Sequence, residues 1–302
     1  MPRRAGIRSA LALFAICCCA HLFIGAASSQ QPSSASANDD LNALLKRMEA
    51  NSRVNAQFAA RYTYDVTRDI KTYNRKGKLI HHLSDRFVCV IIDGVAYNRV
   101  VEENGQPVDG KEPIAEQKRQ DAIGKLSKGK GYDFVFELIE LNPREYIYSD
   151  LPISYLDTLF DNRVAGYELI NGRDNLVVES TPKINANPAS DRARTALDWK
   201  ETTWIDVEDA MPTRYEAELL RDKNYLLKGS TSRCEFARLP VTQSENSHWP
   251  ENVWMVHGWI AHYSWRMFRI TNSSVSQADF YNYERFQSDA HILEDSVQEV
   301  PQ

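Results

Sequence analysis

Between Leu41 and Met48 the apolar residues fall at Leu41, Leu44, Leu45 and Met48, the i, i+3, i+4, i+7 spacing that gathers side chains on one helix face. Asp39 or Asp40 stands where an N-cap would accept a hydrogen bond from an unsatisfied helical N–H, and the spacing predicts a helix running to about Ala60. Lys46, Arg47, Glu49 and Asn51 fill the opposite face and are expected to meet solvent. From Arg61 the period drops to two. Tyr62, Tyr64 and Val66 alternate with Thr63, Asp65 and Thr67, as a half-buried strand requires.

The extended signal then repeats. A turn around Gly77, within Asn74 to Lys78, leads to a strand over Phe87 to Ile92, and Asp93-Gly94 predicts a tight turn into Val95 to Val101. Glu112 to Leu126 has the spacing of a charged surface helix, whereas Phe134 to Leu141 fits helix and strand equally. Further on, Arg163 to Ile170 and Asn175 to Ser180 flank Asn171-Gly172, a strong hairpin signal because both turn positions need positive φ. A polar loop over Ile184 to Thr195 precedes strands at Trp199 to Ile205 and Thr213 to Leu220. Tyr225 to Leu239, Val253 to Trp265, Met267 to Thr271 and Phe280 to Phe286 bring the expected total to about ten strands.

So many hairpins with an amphipathic helix in front predict an α+β protein. About ten antiparallel strands must stack or curl to hide one face, and a curled sheet, a half-barrel, is the simpler solution for consecutive hairpins. The N-terminal helix and the additional helices would cover its hollow side. No internal repeat is visible.

The first residues carry Arg3, Arg4 and Arg8 ahead of an uncharged apolar run from Ala10 to Ala27 that ends in Gly25, Ala26, Ala27, Ser28 and Ser29. A basic start, an apolar run and a small-residue end have the form of a secretory signal, expected over residues 1–29, with a retained membrane anchor or a lipidated cysteine among Cys17 to Cys19 as alternatives. Residues 30–38, rich in Ser, Ala and Gln, read as a flexible tether, 39–290 as a single domain and 291–302 as a tail. Cleavage would move the formal charge from −5 to −8, since three arginines and no acid leave with the signal. A chain this acidic repels phosphate backbones, so nucleic acid is not an expected partner. A periplasmic or secreted location is expected, and no other apolar run approaches the length of a membrane span. Cys89 and Cys234 would remain after cleavage. An oxidising compartment permits them to pair, and two separate buried thiols are the alternative.

No motif for a nucleotide, a serine hydrolase or a zinc protease occurs, and no cofactor is implied. His257 and His262 lie five apart, which in a regular strand sends them to opposite faces, so a metal site is not expected unless a bulge at Gly258 realigns them. The aromatic stretch Trp254 to Phe268 is the most unusual composition in the chain. Its Met255, Trp259, Tyr263 and Trp265 fall on one strand face by even spacing, where they could line an apolar hollow as ligand-binding residues or simply fill the core under a helix.

The order of elements resembles the LolA-like superfamily, which holds outer-membrane lipoprotein carriers and sensors of the RseB and MucB type. The resemblance is carried by the helix, the strand Arg61-Tyr62-Thr63-Tyr64, the long second strand, the Asn171-Gly172 hairpin, and Thr203-Trp204-Ile205-Asp206 returning through Pro212-Thr213-Arg214. The segment Asp85 to Lys118 also resembles uncharacterised envelope proteins of that fold. The resemblance implies a non-enzymatic envelope protein holding a lipid or the acyl chains of a lipoprotein. A protein-interaction or stress-sensing module is the alternative, and a secreted hydrolase the second.

Overall fold

The computed structural model describes residues 34–92, 95–108, 156–189, 191–223, 225–240, 250–267 and 269–285. The expected signal segment, the Asp93-Gly94 turn, the Glu112 to Leu126 and Phe134 to Leu141 segments and the C-terminal tail lie outside these residues.

Helix α1 (Ser34–Ala59) leads into β1 (Tyr62–Asn74), β2 (Leu79–Ile92), β3 (Val95–Glu103) and the short β4 (Gln106–Pro107). A single turn of helix, α2 (Leu156–Leu159), precedes β5 (Phe160–Ile170) and β6 (Arg173–Pro182). After α3 (Asp191–Ala196) come β7 (Trp199–Asp206), β8 (Met211–Leu219), β9 (Thr231–Pro240), β10 (Asn252–Met267) and β11 (Ile270–Arg285). The strands form one antiparallel, curved, open sheet in the order β4-β3-β2-β1-β11-β10-β9-β8-β7-β6-β5. The expected fold class is the observed one: an N-terminal meander and a C-terminal meander joined where the first strand pairs with the last.

Helix α1 covers one face of this sheet. Leu41, Leu45 and Met48 are buried in a cluster with Leu156, Leu159, Phe160, Leu176, Val178 and Ile205, so the helical stripe meets strands β5 to β7. A second cluster, Tyr62, Tyr64, Val66, Phe87, Cys89, Val253, Met255, Ala278 and Phe280, packs the junction of the two meanders. Phe87 is fully buried, and burial of such a side chain stabilises the fold by roughly 2–3 kcal/mol. Within the N-terminal meander Arg68 of β1 donates to Asp85 of β2, both buried, with the guanidinium lying 4.7 Å from the centre of the Phe87 ring.

The turn between β7 and β8 ties α1 to the sheet. Arg173 grips the buried carboxylate of Asp206 through Nε at 2.5 Å and Nη2 at 2.8 Å, and the Asp209 amide donates to the same carboxylate at 2.8 Å. Helix α1 adds Arg47 donating to the Val207 carbonyl and Asn51 to the Asp209 carbonyl. One turn further on, the Asn55 amide donates to the Trp254 carbonyl and accepts from the Trp254 N–H, at 2.7 and 2.8 Å. There β11 no longer pairs with β10, and the Asn55 side chain takes the place of a strand peptide.

The elements differ from expectation in four places. Helix α1 starts at Ser34, inside the stretch read as a tether, because its Ser-Ala-Ser-Ala sequence opposes helix only weakly. The polar Ile184 to Thr195 loop contains most of α3, whose Ala193 and Ala196 are buried in the first cluster. The expected strand from Tyr225 starts only at Thr231, because Gly229 adopts φ 83°, which breaks extension, and Ser230 turns back to the Leu227 carbonyl. Met267 and Ile270 end and begin two 16-residue strands instead of sharing a short one.

Candidate functional site on the inner face of the sheet

Along β7 the side chains of Glu201, Thr203 and Ile205 alternate onto the face that α1 covers, since Ile205 belongs to the first cluster. Strand register carries that face outward in two parallel rows. Thr203 lies opposite Tyr215, Tyr215 opposite Cys234, Cys234 opposite Trp259 and Trp259 opposite Ala278. In the next row Glu201 lies opposite Ala217, Ala217 opposite Ser232, Ser232 opposite Ala261 and Ala261 opposite Ser276.

The second row is therefore built of small side chains over four adjacent strands, a span of about 14 Å at the usual strand spacing. Tyr215 and Trp259 rise on one side of it, Leu219 and Tyr263 on the other. This relief makes a trough across the inner face. Ala217, Ala261 and Ser276 are buried, and the trough runs up to Glu201, only 1% exposed.

Glu201 is the chemical anomaly of the row. Burial pushes its carboxyl up to about 8, against a smaller opposing effect of the hydrogen bond from Tyr215, so it keeps its proton at neutral pH. Among the described residues its Oε2 has no hydrogen-bond partner, nor has the hydroxyl of Thr203, also 1% exposed. Burial and then the nearby Glu201 push the Tyr215 hydroxyl well above its ordinary value, and burial pushes the Cys234 thiol up to about 12. The titratable groups in these rows are thus neutral near pH 7.

The four aromatic-stretch residues sit as follows. Trp259 donates Nε1–H to Ser232 Oγ at 3.0 Å and stands 6.4 Å from Tyr263 between ring centres, so the two rings close over Ala261, which is fully buried, and roof the middle of the trough. Trp265 donates to Ser274 Oγ at 3.1 Å. Met255 is buried in the second cluster, against which Trp259 also packs. The even spacing from Met255 to Trp259 spans an inserted residue, because the register of β10 slips between Val256 and Gly258. Cys89 and Cys234 are not bonded to each other: they are buried thiols on β2 and β9, with β1, β11 and β10 between them. The pairing considered from their strand-like surroundings is corrected by the strand order, which puts the N-terminal and C-terminal meanders side by side without overlaying them.

The opposite face is wet. Lys200, Thr202, Glu216, Glu218, Thr231, Arg233, Ile260 and His262, together with Ala217 and Ser232, line a cleft of about 320 Å³, where Arg233 pairs with Glu216 at 2.7 Å. Glu218, Thr231 and His262 are successive cross-strand neighbours there. The threonine occupies the middle place, whereas a hydrolytic relay needs the histidine between acid and nucleophile. Among the described residues no group of three or more His, Cys, Asp or Glu side chains could hold a metal ion, and no helix is long and apolar enough to cross a membrane.

Glu201, Thr203 and Tyr215 are absent from the ligand-binding residues expected from sequence, although Thr203 opens the tryptophan strand quoted there. The available signal was phase: Glu201 shares its alternation with Thr203 and Ile205, which places a carboxyl on the buried side of a strand.

Fold and site together define an open, curved antiparallel sheet with a helix-covered inner face and a small-residue trough. The chain matches no family model and no curated protein. Among solved structures it is similar to a putative outer-membrane lipoprotein-sorting protein domain from Vibrio parahaemolyticus, with 12% identity, a TM-score of 0.34, and coverage of 81% of this chain and 92% of that one. A LolA-superfamily protein from Nitrosomonas europaea aligns with 11% identity and a TM-score of 0.27, covering 80% and 92%. The lipoprotein LppX of Mycobacterium tuberculosis aligns with 12% identity and a TM-score of 0.27, covering 80% and 95%.

Proposed function

We propose that this protein is an exported, non-enzymatic envelope protein that shelters an apolar ligand, the acyl chains of a lipid or lipoprotein, against the inner face of its sheet. The observation that carries this reading is the trough of Ala217, Ser232, Ala261 and Ser276 between the taller Tyr215, Trp259, Leu219 and Tyr263. A row of small groups beneath aromatic side chains accepts a linear apolar chain through non-directional contact when the Trp259 and Tyr263 rings part. The basic and apolar start of the sequence supports export.

The test is gentle native mass spectrometry of protein purified from the periplasm, followed by lipid extraction and titration with the neutral fluorophore N-phenyl-1-naphthylamine. A discrete added mass identified as lipid, with saturable probe binding, is expected. An empty protein that binds no probe would overturn the reading. A second reading, a protein-interaction module, is favoured by edge strand β5, where Val164, Tyr167 and Leu169 are exposed, Tyr167 by 75%. Recovery of a stoichiometric protein partner crosslinked through β5, with no lipid, would select it.

A further inference from the structure

One end of the sheet carries a chemistry that the rest of the chain lacks. Leu226, Trp265, Asn272 and Asn74 are successive cross-strand neighbours, so the segment before β9, the β10–β11 tip and the β1–β2 tip all reach past one common row, roughly 19 Å wide once β2 is counted. Around and beyond that row Leu79, Ile80, Tyr225, Met267 and Ile270 are exposed, from 44% for Leu79 to 62% for Ile270. The register of β1 and β2 shifts between Thr72 and Tyr73, which leaves Ile80 without a cross-strand partner. Five exposed cations stand among these apolar groups: Arg75, Lys76 and Lys78 in the β1–β2 turn, Arg266 and Arg269 at the β10–β11 tip. Asn74 fixes the turn, its Oδ1 accepting the Lys76 and Lys78 amides at 2.9 and 3.0 Å, while Gly77 supplies the positive φ of 75°. Among the described residues none of the five cations meets a carboxylate, whereas Arg221 and Lys223, in the segment before β9, are both held by Asp198. The stretches 71–80 and 264–271 contain no acid, in a chain whose formal charge is −5.

We propose that this rim is a docking surface for an anionic phospholipid bilayer, its cations meeting lipid phosphates and its apolar tips entering the boundary between headgroups and acyl chains. A Lys or Arg without an internal partner keeps its attraction for an outside anion, and its long stem lies along apolar surface while the charged head stays in water. Leu79, Ile80, Met267 and Ile270 supply apolar surface beside those stems, and Tyr225 has the mixed character that suits a membrane–water interface. Each cation near an anionic leaflet strengthens binding about fivefold. Protein interfaces deplete lysine at their core, whereas basic and apolar side chains interleaved along a level edge match the two layers of a membrane surface. A docked rim operates whether or not the inner face holds an acyl chain.

The experiment sediments protein purified from the periplasm with vesicles of phosphatidylethanolamine and phosphatidylglycerol, and with vesicles of phosphatidylcholine alone. The wild type is expected to pellet with the anionic vesicles at about 0.1 M salt and to be released at about 1 M, where screening shortens from about 10 to about 3 Å. It should stay in the supernatant with phosphatidylcholine. R75Q/K76Q/K78Q should bind the anionic vesicles about a hundredfold more weakly, the product of three fivefold losses. M267S/I270S should lose about tenfold or more through its apolar contacts. All five positions are exposed, so both variants should unfold at the wild-type temperature and keep wild-type binding of N-phenyl-1-naphthylamine. Equal pelleting with both kinds of vesicle, or undiminished binding by R75Q/K76Q/K78Q, would overturn the rim as the contact. A wild type that ignores anionic vesicles but crosslinks to an acidic protein through Lys76 or Lys78 would overturn the bilayer as its partner.

Discussion

Replacing Glu201 by glutamine tests the buried carboxyl without any ligand. In the folded chain this group holds its proton up to about 8; in the unfolded chain it releases it near 4.5. Between those values the unfolded state binds fewer protons than the folded state, so the stability Glu201 contributes is full below about pH 4.5, declines as pH rises, and levels off above about pH 8. The separation of roughly three and a half pH units corresponds to about 5 kcal/mol in full, at about 1.4 kcal/mol per unit, of which about 4 is reached by pH 8. Glutamine has the same shape, can accept the Tyr215 hydroxyl and cannot ionise. The stability of E201Q relative to wild type should therefore climb with pH, from near zero at pH 4.5 to about 4 kcal/mol in favour of E201Q at pH 8. For a domain of this size that is on the order of 10 °C in Tm. Tyr215 and Cys234, the titratable neighbours in the adjoining row, stay neutral throughout the range and do not blur the comparison. Scanning calorimetry of both proteins at half-unit pH steps reads it. A difference between the two that stays flat from pH 4.5 to pH 8 would refute the placement of an unpartnered carboxyl in the sheet floor.

Two further outcomes follow from named contacts. R173A strips the buried Asp206 carboxylate of its bidentate partner, and loss of about 3 kcal/mol is expected in urea unfolding at pH 7. Burial alone would raise Asp206, but the hydrogen bonds from Arg173 and from the Asp209 and Glu208 amides, with the charge of Arg173, together outweigh it and hold the group below the ordinary carboxylate range, so the deficit of R173A should shrink as pH falls below about 4. Peptide mapping of unreduced protein should recover the Cys89 and Cys234 peptides separately, and a linked pair would contradict the three strands that lie between them.

Strong periodicity made most of the fold legible in the sequence. The Leu41, Leu45 and Met48 stripe, the Tyr62, Tyr64 and Val66 alternation and the Asn171-Gly172 turn, with φ of 51° and 78°, each follow from local rules that tertiary contacts reinforce. The first half of β11 was not legible for a physical reason. Its inward positions, Asn272 and Ser276, are small and polar, so the hydrophobic alternation that marks a strand is missing where the strand borders the trough. The candidate site was hidden by the same cause. Large aromatics such as Trp259 and Tyr263 advertise themselves in composition, whereas Ala217, Ser232 and Ala261 come from three different strands and become a row only through register. Met255 was placed with the aromatics by a spacing rule that the slip at His257 interrupts.

The two faces of the same four strands explain how one sheet can carry a dry groove without collapsing onto it. On the outer face Lys200, Glu216, Arg233 and Glu218 alternate in sign and stay hydrated, which holds the strands in register at little desolvation cost. On the inner face the small row is roofed by Trp259 and Tyr263, whose rings close over Ala261. Helix α1 is pinned away from it, at Asp209 and Trp254 on one side and in the Leu176–Ile205 cluster on the other. The clasp of Arg173, Asp206, Asn51 and Asn55 therefore does more than stabilise a turn, because it fixes the distance of the covering helix from the floor. Loosening it should let α1 settle toward the trough, so a clasp defect and a binding defect ought to appear in the same variant.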